Sequence, residues 1–223
     1  MGRKFFILII ILFCSETIFS VEENFESVLF KLKQQFDNIN NYLCTIESYT
    51  SKKDKSEFLV LKYFFSKPKS VRIEIIYGKN KGTILLLNQN KVRVKPGNRI
   101  FSVLTLTFNP DDKKVCDIRG RGVHESDWGW FIDKHIGNLE YFDSKYLYDE
   151  TVEGISTMVY ELHSKDINKT EEVNRETIWI DKEKYIIIKY IQYDKDEKII
   201  QASSYKNIAL NQELDEKTFT SFK

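Results

Sequence analysis

Residues 70–87 read SVRIEIIYGKNKGTILLL. Val71, Ile73, Ile75 and Tyr77 alternate with Arg72 and Glu74, a charged tip lies between Gly78 and Gly82, and residues 84–87 are apolar without a break. Period-two alternation interrupted by a glycine-bounded turn predicts a β-hairpin. The second arm is apolar on both faces, so something must cover it on each side: an ordinary core, or the wall of a space that a ligand fills. Upstream, Phe25, Val28, Leu29, Leu32 and Phe36 recur at intervals of three and four, which predicts an amphipathic helix over residues 22–38.

Strand-like segments dominate the remainder. Residues 42–49, 58–65, 70–77, 83–87, 91–95 and 101–108 follow one another across short turns such as SKP, GKNKG, KPGN and NPDD. Turns this short predict antiparallel neighbours, since parallel strands require long crossovers. The rhythm breaks at residues 115–142. There Trp128, Phe131, Ile132, His135, Ile136 and Leu139 fall on one helical face, with Glu125 and Asp127 where a helix N-terminus favours acids. Strands resume at 146–152, 156–163, 175–181, 185–194 and 198–206. The pattern predicts a mainly β protein with helices (α+β): a strongly curved sheet wrapped around an N-terminal helix and a helical plug or lid. A flat sheet of this width would expose its edges and an apolar face.

The first residues stand apart from this pattern. Gly2-Arg3-Lys4 is followed by an apolar run over residues 5–13, too short to span a bilayer, and Ser20 offers a small residue at a cleavage point. We expect residues 1–20 to be an export signal, leaving 21–223 as one domain in the periplasm. Cys14 raises the alternative of a lipid anchor, although Phe13 is large for the position before a lipidated cysteine. The chain carries a formal net charge of +1, and loses even that excess once the signal is removed. Such a balance excludes a nucleic-acid partner, which needs a concentrated positive field. Cys44 and Cys116 can pair in an oxidising compartment or remain free thiols.

The chain carries little recognisable chemistry. His124, His135 and His163 lie in different elements, none in HExxH or at zinc spacing, and there is no GxSxG, P-loop or dinucleotide fingerprint. His135 reads as a satisfied half-buried histidine, and His124 with Asp127 makes only a weak acid/base couple. No catalytic residue, metal or cofactor is expected, and the chain is not read as an enzyme. The RGRG loop, Arg119 to Gly122, is either a solvated turn or a place where a guanidinium meets a carboxylate or phosphate. The WGW segment places a glycine inside a helix at a cost of about 1 kcal/mol, so a packing reason is expected there.

The C-terminal part resembles the closing segment of LolA-like proteins, the periplasmic carriers of outer-membrane lipoproteins, with their RseB and LppX-type relatives. The residues that carry the likeness are Trp179 and Asp181, Tyr193 and Asp194, then Asn211, Leu214 and Phe219. The middle resembles the DUF1571 family through Lys67-Pro68-x-Ser70-Val71, the Gly78–Gly82 hairpin, Asn109-Pro110 and the arginine-rich loop before Gly129. That loop departs from the family's register. The resemblance implies an incomplete antiparallel β-barrel whose interior holds acyl chains, with a lipid or lipidated protein as partner, an envelope membrane complex beyond it, and a monomeric state. On this reading Ile73, Ile75, Leu85, Leu87, Trp128, Phe131 and Ile132 are the expected cavity wall, and Arg119 or Arg121 the tether of the lid. The alternative is a non-catalytic envelope interaction or sensor protein of RseB type, without lipid cargo.

Overall fold

The computed structural model describes residues 23–98 and 104–222. The expected signal segment, Cys14 and the start of the strand expected at 101–108 lie outside them. Helix α1 (Phe25–Asn38) begins at Asn24, whose side chain accepts from the Ser27 N–H at 2.8 Å. All five residues of its predicted apolar stripe are buried. Six strands follow: β1 (Asn41–Lys52), β2 (Lys55–Ser66), β3 (Ser70–Tyr77), β4 (Ile84–Asn88), β5 (Lys91–Lys95) and β6 (Leu106–Phe108). Helix α2 (Trp128–Gly137) separates them from β7 (Phe142–Val152), β8 (Ile155–Ser164), β9 (Arg175–Asp181), β10 (Ile187–Tyr193) and β11 (Ile199–Leu210), and a short α3 (Lys217–Thr220) ends the chain.

These strands form one eleven-stranded antiparallel sheet in the order β6-β5-β4-β3-β2-β1-β11-β10-β9-β8-β7. Two meanders thus fan out from the central β1/β11 pair, and β6 and β7 stand at opposite edges without closing the barrel. The order has a geometric consequence. The chain between β6 and β7 has to pass from one edge to the other, and it does so across the hollow, carrying α2 with it. Bulges at Leu43/Thr45, Val60/Leu61 and Ile187/Lys189 add the local twist that rolls a sheet this wide.

Both long helices pack into the hollow. Trp128 stacks on Tyr42 of β1, with ring centroids 4.1 Å apart and planes 15° from parallel, and Tyr42 stacks in turn on Phe65 of β2 at 5.1 Å. The cost of the helical glycine is explained by α1: a Cβ on Gly129 would lie 2.5 Å from Cε1 of Phe36. Cys44 is buried on β1 and Cys116 half-buried in the crossing segment, and both are free thiols. His124 does not face Asp127; its Nε2 lies 3.3 Å from Asp111.

The doubly apolar arm of the first hairpin has two covers. On the inside, Leu87 joins the core between Val71 and Val92. On the outside, Leu86 sits between Arg72 and Arg93 on neighbouring strands and is 1% exposed. Helix α3 lies over β3 and β4, held by both arginines. Arg72 donates to the carbonyls of Thr218 (3.0 Å) and Ser221 (2.7 Å), and Arg93 donates to that of Thr220 (2.9 Å).

Candidate functional site

Strand alternation determines what faces the hollow. On β1 to β4 the inward positions include Ile46, Leu59, Leu61, Ile73, Ile75 and Leu85, which together form one wall of a cavity of about 410 Å³. On β10 and β11 the inward positions are polar: Gln192, Gln201 and Ser203, each nearly buried, continue the lining. Gln192 pairs with Gln201, Gln201 with Thr50 and Thr50 with Glu57, so one inner row stays polar across four strands. Helix α2 contributes Trp130, Phe131 and Lys134, and the preceding loop contributes Arg121. The space is therefore amphipathic, with an aliphatic wall facing a hydrogen-bonding one.

The polar wall is a connected network. Gln201 donates to the Tyr190 hydroxyl at 2.8 Å, and Gln192 donates to Glu176 at 3.0 Å. Each glutamine thereby turns its oxygen toward Arg121, which donates to both. Arg121 also donates to the Glu171 carboxylate at 3.3 Å, and Lys134 pairs with the same Glu171 oxygen. Burial, and then the nearby Arg121 guanidinium, push the Lys134 ammonium below its ordinary value. Burial would raise the Glu171 carboxyl, but the hydrogen bond and charge of Lys134, with Arg121 and Arg119, hold it lower than usual.

Of the residues expected at the site, Ile73, Ile75, Leu85, Phe131 and Arg121 border this cavity. Leu87, Trp128 and Ile132 do not. Leu87 lies further along the strand under the core, while Trp128 and Ile132 face α1, where they meet Leu32, Phe36 and Ile39. Arg119 is half-buried and does not border the cavity; its Nη2 donates to the Glu171 carbonyl at 2.9 Å. The sequence reading missed Lys134, Glu171, Gln192 and Gln201. The one available signal was on β11, where Gln201, Ser203 and Tyr205 share a face opposite Ile200; it does not say which of those faces turns inward. Among the described residues, no group of three or more His, Cys, Asp or Glu side chains is placed to hold a metal ion, and no helix is long and apolar enough to cross a membrane.

An uncharacterized conserved protein from Thermus thermophilus superposes with a TM-score of 0.55 at 8% identity, over 89% of this chain and 93% of that one. The two share a fold. Lower scores relate the chain to the lipoprotein LppX of Mycobacterium tuberculosis (0.49, 10% identity, 86% and 99% of the two chains). A LolA superfamily protein of Nitrosomonas europaea follows (0.42, 11%, 87% and 96%). At such identities only a fold is in common, and scores below 0.5 add no weight to it. No family model matches the chain, and no curated protein matches it by sequence.

Proposed function

We propose that this chain is an exported, monomeric binding protein of the periplasm that carries an acyl chain, on a free lipid or on a lipidated protein, inside the curved sheet. The observation that supports this most is the aliphatic wall of Ile46, Leu61, Ile73, Ile75 and Leu85, which borders the cavity at the edge of the packed core. Each CH₂ withdrawn from water onto such a wall contributes about 0.8 kcal/mol. The LolA-like residues Trp179, Asp181 and Phe219, and the DUF1571-like Lys67-Pro68 segment, point the same way. Residues 1–20 are the export signal in this reading. Helix α2 is the lid, tied down where Arg119 and Arg121 share Glu171 with Lys134.

The test has two parts. Organic extraction of protein purified from its native envelope, followed by mass spectrometry, should release a stoichiometric acyl lipid. An Ile75→Trp variant should lose displacement of a fluorescent fatty acid while keeping its unfolding temperature. A wild type that never binds the probe, with a variant that simply loses stability, would make Ile75 ordinary core and end the carrier reading. A docking role without cargo draws on Phe58 and Tyr77, which are 46% and 60% exposed and meet edge to face at 6.0 Å. An extract free of lipid would favour it.

A further inference from the structure

The polar end of the cavity holds two cations that the fold alone does not require. Arg121 and Lys134 come from different segments, both border the cavity, and each side chain is only 13% exposed. Like charges brought together out of water repel, and burial together with that repulsion lowers the Lys134 ammonium. The acids nearby are mostly committed elsewhere. Glu176 pairs with His135 at 2.8 Å, and Asp117 accepts the backbone N–H groups of Arg119 and Arg121. Glu125 accepts from the Gly122 N–H, Asp127 pairs with Lys69 at 2.7 Å, and Glu57 stands two strands from Gln201 in the inner row.

Among the described residues Glu171 alone bridges the two cations, and it does so from a weakly committed position. Its side chain is 51% exposed, on a turn where Glu171 and Glu172 both adopt left-handed φ values of 55° and 66°. That region is unfavourable for side chains of this kind. The carboxylate thus reaches in from outside to a place where an oxyanion from within the cavity would have the same partners.

We propose that Arg121 and Lys134 form an oxyanion site for the head of an acidic amphiphile, a carboxylate or phosphate, whose tail lies on the aliphatic wall. The ligand's oxyanion competes with Glu171 for the two cations, and its arrival releases the 165–174 loop from α2. This rests on the carrier reading and names the chemical class of the cargo.

Equilibrium dialysis of the full mature chain against dodecanoate, dodecanol and inorganic phosphate tests it. Wild type should bind dodecanoate about tenfold more tightly than dodecanol, the difference expected of one charge-assisted contact. Arg121→Gln should bring dodecanoate down to the level of dodecanol. Glu171→Gln, which removes the competitor, should instead tighten dodecanoate several-fold. Equal binding of acid and alcohol by wild type would overturn the proposal while leaving the carrier reading in place. Binding of neither amphiphile would end both. Phosphate bound as tightly as dodecanoate would show a free-anion site and overturn the amphiphile assignment. Should Arg121→Gln fail to fold, Glu171→Gln decides alone: unchanged or weaker dodecanoate binding counts against the site.

Discussion

Nε2 of His135 on α2 lies 2.8 Å from Oε2 of Glu176 on β9, and neither side chain is more than 3% exposed. On its other side the ring's Nδ1 donates to the Phe131 carbonyl at 2.8 Å. A carbonyl oxygen only accepts, and so does an ionised carboxylate; the arrangement is satisfied when the ring carries both protons. This contact bolts the helix across the hollow to the sheet beneath it. Glu176→Ala leaves a buried ring without its partner and should cost about 3–5 kcal/mol in urea unfolding. His135→Ala should cost a comparable amount, and the double variant less than the sum of the two.

The same pair sets an acid limit. Burial would raise the Glu176 carboxyl, but the His135 charge and hydrogen bond, helped by Gln192, hold it below its ordinary value. A carboxyl depressed in the folded state contributes stability above its unfolded pKa of about 4.3, and loses it as the pH falls through the folded value. The urea midpoint should therefore drop below about pH 4. Glu176→Gln should flatten that part of the profile.

Gly129 permits the close approach of the two helices. In Gly129→Ala the new methyl would meet Cε1 and Cζ of Phe36 at 2.5 and 2.7 Å, on a ring already packed against Phe65. A loss of about 1–3 kcal/mol is expected from thermal unfolding. Phe36→Leu in the same chain should recover part of it.

Arg72 is buried on the outer face and serves three acceptors: the Thr218 and Ser221 carbonyls and, at 2.6 Å, Glu74. Arg72→Met should cost about 2–3 kcal/mol, since those oxygens lose a charged donor. It should also uncover Leu86, so hydrogen exchange in residues 217–222 should accelerate more than in β10.

Much of this architecture is written in the chain's periodicities. Helix α1 extends over Phe25–Asn38 because its apolar stripe is complete and Asn24 caps it, so Glu23 lies before the helix. The inner aliphatic wall was legible at Ile73 and Ile75, where Arg72 and Glu74 alternate with apolar residues, and Leu85 followed from its place in the apolar second arm of the same hairpin. On β11 the sense is inverted: Gln201 and Ser203 face inward while Ile200, 7% exposed, is not part of the inner core. Polarity patterns assume a solvated outer face and a dry inner one, and a polar cavity wall violates both assumptions. The two-cation cluster was illegible for a different reason: Arg121, Lys134 and Glu171 are distant in sequence, and only the crossing segment brings them together. Helix α3 has four residues, too few to carry a period, so the outer cover of Leu86 had no signature.

The unjoined edges β6 and β7 bear on how far the hollow can change its width. A barrel closed by hydrogen bonds has a circumference fixed by strand number and stagger, and it can widen only by breaking pairs. This sheet stops at β6 on one side and β7 on the other, so its curvature can relax or tighten with every ladder bond intact. Its interior volume is set by the side chains and helices wedged within it, and that volume can change while every strand pair is kept.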